Sequence, residues 1–340
     1  MYRKIMGFLK AWKENEHRKP LILQGARQVG KTYSILEFGR THYENVAYFN
    51  FETNPKLNKT FEENISPDYL IPILSHIAGQ TIVTEKTLIV FDEVQLCERA
   101  LTSLKYFCED APDYHIIVAG SLLSVAVGRA KFSFPVGKVD MKTLYPMDME
   151  EFMLALGKND LVEQIKESFQ TDTPLPSALH DAAMQLYRQY LVVGGMPECV
   201  MQFAETKDYI LVRHTQDTIL VSYLNDMSKY NNLNEIKKTR LAYDNITVQL
   251  SKKNTRFQYK LIKKGGRASE FENAIEWLCL SGIVSRVYKV EQIKKPLENY
   301  RDIDAFKIYV SDLGLLCAKK DLAANDILYM VEEINDFKGG

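Results

Sequence analysis

Short unbroken apolar runs alternate along this chain with longer stretches in which apolar residues recur every three or four positions. The first pattern predicts strands covered on both faces, the second amphipathic helices. Ile5, Met6, Leu9 and Trp12 share one helical face, so the chain should open on a helix. Runs at Leu21-Ile22-Leu23, Thr87 to Phe91 and His115 to Ala119 then predict buried strands. Asn45 to Phe51 predicts another strand, nearer an edge, and Val136 to Leu144 a fifth. Tyr33 to Phe38 reads as the first turns of a helix after the first of these runs, and four apolar residues in a row at Leu88 to Phe91 suit a central parallel strand. After Tyr145-Pro146 the pattern is helical over Asp148 to Leu156, Leu161 to Phe169, Ser177 to Val193 and Asp208 to Tyr230. Gly194-Gly195-Met196-Pro197 must interrupt it, either as a hinge or as a plain helix stop.

The last third has its own pattern. One helix is expected over Thr239 to Leu250, a second near Tyr259 to Lys264, and a third from Ser269, where the spacing to Glu272 suggests a capping box. Two strands should follow, Gly282 to Tyr288 and Phe306 to Val310, joined by a polar loop. That succession suggests a winged helix.

Composition adds limits. With 340 residues, 46% of them hydrophobic, and 19 Tyr and 16 Phe, the chain can build two or three real cores. No eighteen apolar residues run together, and the first twenty lack the apolar segment and cleavage site of a signal peptide. The five cysteines are odd in number and far apart, which fits neither a disulfide framework nor a zinc pair. A cytoplasmic location is the default expectation.

Candidate chemistry enters with Gly25-Ala26-Arg27-Gln28-Val29-Gly30-Lys31-Thr32-Tyr33, a full G-x-x-x-x-G-K-[ST] match placed between a predicted strand and a predicted helix. Backbone N–H groups of such a loop, with the positive end of the helix behind them, hold phosphates. Lys31 is expected to bridge the β- and γ-phosphates of ATP, and the Thr32 hydroxyl to take a Mg²⁺ site. Asp92 and Glu93 close the Thr87 strand, where ligands bind in open α/β sheets. Asp92 is expected to hold Mg²⁺ through water, and Glu93 to orient or deprotonate an attacking water. Ser121, at the end of the next apolar run, would face the γ-phosphate if its strand lies between the other two.

These segments resemble those of a widespread prokaryotic group of AAA-superfamily ATPases. The match is carried by "LILQGARQVGKT", "VAYFNFE", "LIVFDEVQ", "IIVAGSLLS", "SFPVGKVDMKTLYPMDMEEF", "LVVGGMPECV" and "KIYVSDLGLL". The resemblance implies a P-loop core with a five-stranded sheet, its loop strand beside the sensor strand, followed by a helical lid and a winged helix. It also implies the roles given above to Lys31, Thr32, Asp92 and Glu93. The corresponding divisions are 1–145, 146–235 and 236–317, with 318–340 as a tail. Arg129 lies where many AAA proteins present an arginine to a neighbouring subunit's nucleotide, although a surface arginine would look the same. Family members usually continue into a nuclease-like domain. Only a short segment follows Cys317 here, so either this member lacks the domain or the sequence is a fragment, and no nuclease activity is assigned.

The net charge of −1 conceals a basic window. Residues 236–267 carry ten Lys or Arg against Asp244 alone, so the window sums to +9. An anionic partner such as non-specific DNA would suit it. The third helix opposes sequence readout, because it presents Glu270, Glu272 and Glu276. A protein partner or a second copy of the chain is the other option. The expectation is therefore a Mg²⁺-dependent ATPase whose hydrolysis rearranges lid and winged helix. The alternatives are a slow nucleotide switch and an ATP-gated DNA-binding module.

Overall fold

The computed structural model describes residues 1–120, 134–229, 233–252 and 256–329. Ser121 and Arg129 lie outside the described residues. By internal contacts the chain divides into two units, Arg3–Tyr145 and Met1–Tyr2 with Pro146–Gly340.

The first unit runs α1 (Ile5–Glu14), β1 (Leu21–Gln24), α2 (Lys31–His42), β2 (Asn45–Asn50), α3 (Lys56–Glu63), α4 (Pro67–Ala78), β3 (Thr87–Asp92), α5 (Glu98–Asp110), β4 (His115–Ala119) and β5 (Asp140–Thr143). Its strands form one parallel sheet in the order β2-β3-β4-β1-β5. The expected edge position of the Asn45 strand and the central position of the His115 strand are both observed. Every residue of β3 and β4 is buried, as unbroken apolar runs require. Against one face Phe49, Phe51, Phe61, Phe91 and Phe107 build a hydrophobic core. Phe51, Phe61 and Phe91 sit with ring centres 5.6–5.9 Å apart in tilted and edge-on pairs. Each such ring contributes roughly 1.5–3 kcal/mol by leaving water. The fifth strand is shorter than expected: Val136 is 80% exposed, and pairing with β1 begins only at Asp140.

The second unit is helical up to residue 280: α6 (Met149–Ala155), α7 (Asn159–Thr171), α8 (Ser177–Val193), α9 (Pro197–Thr206), α10 (Tyr209–Lys229), α11 (Leu233–Leu250), α12 (Tyr259–Ile262) and α13 (Ala268–Leu280). An antiparallel hairpin, β6 (Val284–Val290) and β7 (Arg301–Val310), follows, and then α14 (Leu313–Lys319) and α15 (Ala324–Leu328). Three helices before a hairpin match the predicted succession, with shifted bounds. α11 starts six residues early because its polar first turn is stapled by Lys238 to Glu235 at 3.0 Å.

One expectation fails. Ser269 does not cap α13; Arg267 occupies the cap position and no side chain caps there. The Glu272 carboxylate instead accepts from Arg286 Nη1 at 2.5 Å and from the Tyr259 hydroxyl, binding the helix to β6 and to α12. A capping box does form at Asp148 and Glu151, at the start of α6.

Candidate nucleotide site

β1 ends in the phosphate loop and α2 begins inside it. Gly30, with φ 88°, is the residue before the helix, so the turn into α2 needs a left-handed residue that only glycine adopts without cost. Gly25, with φ 146°, lies so close to β5 that an added Cβ would stand 2.2 Å from the Leu144 carbonyl oxygen. Gln28 at the loop's tip has φ 65° and is exposed. Ala26 and Val29 are buried, Arg27 is half-buried, and Tyr33 on the first turn of α2 is exposed. The Lys31 side chain is buried within the loop, donating to the carbonyls of Gly25 at 2.9 Å and Ala26 at 2.8 Å.

Thr32 and Asp92 come together as expected. The Thr32 hydroxyl donates to Asp92 Oδ2 at 2.9 Å. Because β4 separates β1 from β3, the carboxylate reaches the loop from two strands away, at the carboxyl edge of the sheet. Glu93 follows with φ 52° and donates its backbone N–H to Asp92 Oδ1 at 3.0 Å. Its carboxylate accepts from the Gln95 side-chain amide. Burial pushes the Glu93 carboxyl above its ordinary value; the Gln95 donor opposes the rise, Asp92 and Glu52 add to it, and Lys31 counters. A carboxylate so placed is, when ionised, a stronger base than a surface glutamate.

Three residues near the loop went unnoticed in the sequence. The Tyr48 hydroxyl donates to Asp92 Oδ2 at 2.7 Å, the same oxygen that Thr32 uses. Burial raises that phenol to about 12, which keeps it a donor. Asn50 Nδ2 donates in turn to the Tyr48 oxygen at 3.2 Å. β2–β3 pairing places Asn50 opposite Asp92 and Tyr48 opposite Val90. Arg3 is 4% exposed and donates from Nη1 to the Val29 carbonyl at 3.0 Å. For Tyr48 and Asn50 the polar positions in an otherwise apolar strand were a usable signal; for Arg3 there was none.

A nucleotide and a divalent cation are implied by this loop, and the residues present fit them. Lys31 and the N–H groups at the α2 terminus supply positive partners for phosphate, and Thr32 and Asp92 supply hard oxygen ligands 2.9 Å apart. Among the described residues no helix is long and apolar enough to cross a membrane.

Residues 17–153 match a family described as an AAA domain, and residues 184–326 match a domain of unknown function. No curated protein matches the chain significantly. Among solved structures, a Walker-type ATPase of Pyrococcus abyssi is similar at 13% identity, over 94% of this chain and 95% of that one, with a TM-score of 0.56. The ORC2 protein of Aeropyrum pernix is similar at 12% identity over 98% and 94%, with a TM-score of 0.41. Residues 17–153 are thus similar to AAA domains, and they contain the P-loop and all five strands of the first unit's sheet.

Proposed function

We propose that the chain binds ATP with Mg²⁺ at the 25–33 loop and hydrolyses it, and that the second unit rearranges with the nucleotide. The observation that carries this reading is the Thr32–Asp92 pair at 2.9 Å beside the buried Lys31. When bound, Mg-ATP supplies an activated phosphoanhydride and a metal charge that offsets the phosphates. Lys31, which donates to the Gly25 and Ala26 carbonyls, would exchange these neutral acceptors for the charged oxygens of a phosphate, a stronger pairing. Thr32, and Asp92 through water, would hold the cation, and the Tyr48 hydroxyl would fix the orientation of the Asp92 carboxylate. Glu93 orients the attacking water and takes its proton on a carboxylate oxygen. Ser121 is assigned to the γ-phosphate side of the site. Arg129 is assigned to the nucleotide of a neighbouring copy, which would make the active form a homo-oligomer.

Phosphate release from Mg-ATP, set beside binding of a fluorescent ATP analogue, tests the reading. Glu93→Gln should bind as the parent does and turn over about 10²-fold more slowly. Lys31→Ala should lose binding. If the parent binds but never turns over, the slow-switch reading replaces this one.

A second reading, contact with nucleic acid, is favoured by the hairpin. The element order from α11 to β7 supports treating this region as a winged helix. On the hairpin, a cleft of about 390 Å³ is lined by Arg256, Lys289 and Lys307 together with Val287 and Tyr309. No acid lines it, and among the described residues neither Lys289 nor Lys307 forms an ion pair. Within the basic window itself, Lys238 and Lys263 are partly neutralised, by Glu235 at 3.0 Å and by Glu270 at 3.2 Å. The cleft therefore offers phosphates a less compromised cationic surface than those two lysines do.

A further inference from the structure

Arg3 precedes the matched AAA domain, yet its buried guanidinium makes two backbone contacts far apart in sequence. Nη1 donates to the Val29 carbonyl at 3.0 Å and Nη2 to the Tyr145 carbonyl at 2.8 Å. Each carbonyl belongs to an informative peptide. The Val29 oxygen shares its peptide plane with the Gly30 N–H, and in a trans peptide the two point in opposite directions. Anchoring the oxygen on Arg3 therefore turns the Gly30 N–H away from Arg3, and a cationic donor on that oxygen polarises the peptide and strengthens the N–H as a donor. The Tyr145 oxygen belongs to the peptide preceding Pro146, which has no N–H. Tyr145 is also the last residue of the first unit, and Pro146 the start of the long segment of the second.

The ends of the neighbouring strands reinforce this link. β1 and β5 pair as far as Gln24 opposite Thr143, where the Gln24 side-chain amide donates to the Thr143 hydroxyl at 3.0 Å. The Leu144 N–H then donates to the Gln24 carbonyl at 2.8 Å, and the Gly25 backbone closes on the Leu144 oxygen. Both ends of the phosphate loop are thus fastened to residues 144–145, one end by direct packing and the other through Arg3. Past the proline, the Met147 N–H donates to the Gly195 carbonyl at 2.6 Å, and the Tyr190 hydroxyl donates to the Met147 carbonyl at 2.8 Å.

We infer that Arg3 is a positioning residue that sets the Val29–Gly30 peptide for phosphate and transmits the state of the loop to the linker through Tyr145. The inference rests on the reading of the loop as a nucleotide site. It is tested on the full chain with Arg3→Met and Arg3→Lys. One measurement is the affinity for a fluorescent ADP analogue; the other is hydrogen exchange at peptides covering Leu144 to Met147, with and without ADP. The parent should bind and slow its linker exchange on binding. Arg3→Met should bind roughly tenfold more weakly, the scale of losing a charge-assisted bond. Saturated with ADP, it should show no change at the linker. Arg3→Lys, which can keep one of the two bonds, should recover affinity more than linker response. If Arg3→Met does not fold, a lysine variant whose affinity and linker response both equal the parent's overturns the inference. So does a folded Arg3→Met that behaves as the parent in both measurements. A parent that binds no nucleotide overturns the nucleotide reading first and this inference with it, an outcome distinct from parent binding that Arg3 does not influence.

Discussion

At Glu93 burial and hydrogen bonding act in opposite directions on one carboxylate. Removal from water raises its pKa, and the Gln95 amide donor, which favours the ionised form, pulls it down. In the proposed role Glu93 must be ionised to take a proton, so turnover should fall on the acid side as pH drops through its raised pKa. Deleting the donor in Gln95→Leu removes a stabiliser of the ionised form, raises that pKa further, and moves the acid limb of kcat/KM to higher pH. The measurement is the pH profile of both proteins at saturating Mg²⁺; an unmoved acid limb would mean that another group controls it. Residue type and local spacing together marked Lys31, Thr32, Asp92 and Glu93 as candidates, because the proposed chemistry is tied to a short motif. No such motif marks Tyr48, Asn50 or Arg3, and the polar positions of Tyr48 and Asn50 in an apolar strand do not say what they touch. Their roles depend on which strand lies beside β3 and on where the chain start packs, and neither is written into any short window.

Among the elements, the segment between α8 and α9 bears on the choice between hinge and stop left open by Gly194-Gly195. α8 ends at Val193, and Gly194 takes φ 75°. Asp312, 4% exposed, then accepts from the Gly195 N–H at 2.7 Å and the Leu315 N–H at 2.8 Å, joining the helix break to the start of α14. A Cβ on Gly195 would lie 1.9 Å from the Met147 oxygen. This is a close-packed junction rather than a swivel. Gly195→Ala should therefore lower the stability of the second unit by about 3 kcal/mol, the scale of overpacking against backbone that cannot yield. Chemical denaturation followed by Trp277 fluorescence would measure it, and a loss below about 0.5 kcal/mol would contradict the packing argument. The elements themselves were legible where a pattern was strong: β3, β4 and α8 needed no tertiary information. Ends were not. Ser269 looked like a cap only because Glu272 stood three residues on, and the fold had already committed that carboxylate to Arg286 and Tyr259.

For the whole molecule, nucleic-acid contact is a property of charge distribution and is tested as one. Lys289→Glu with Lys307→Glu should weaken retention on duplex DNA and flatten the salt dependence, by about 0.9 in log–log slope for each lysine that touches a phosphate. Basal ATP turnover should not change. Binding with an unchanged slope would exclude the hairpin as the contact and return attention to the basic window. That window illustrates the limit of counting: +9 is correct as arithmetic, yet the fold assigns Lys238 and Lys263 to neighbouring acids that lie just outside it. By itself the sequence determined the parallel sheet, the phosphate loop and the acidic strand end, because unbroken apolar runs, glycines and a Gly-Lys-Thr act over a few residues whatever surrounds them. Only the tertiary structure decided that Tyr48 shares an oxygen with Thr32, that Arg3 spans Val29 and Tyr145, and that Asp312 closes the junction at Gly195. Those contacts join residues between 26 and 142 positions apart, and a long-range hydrogen bond exists only once packing has brought its two ends within 3 Å.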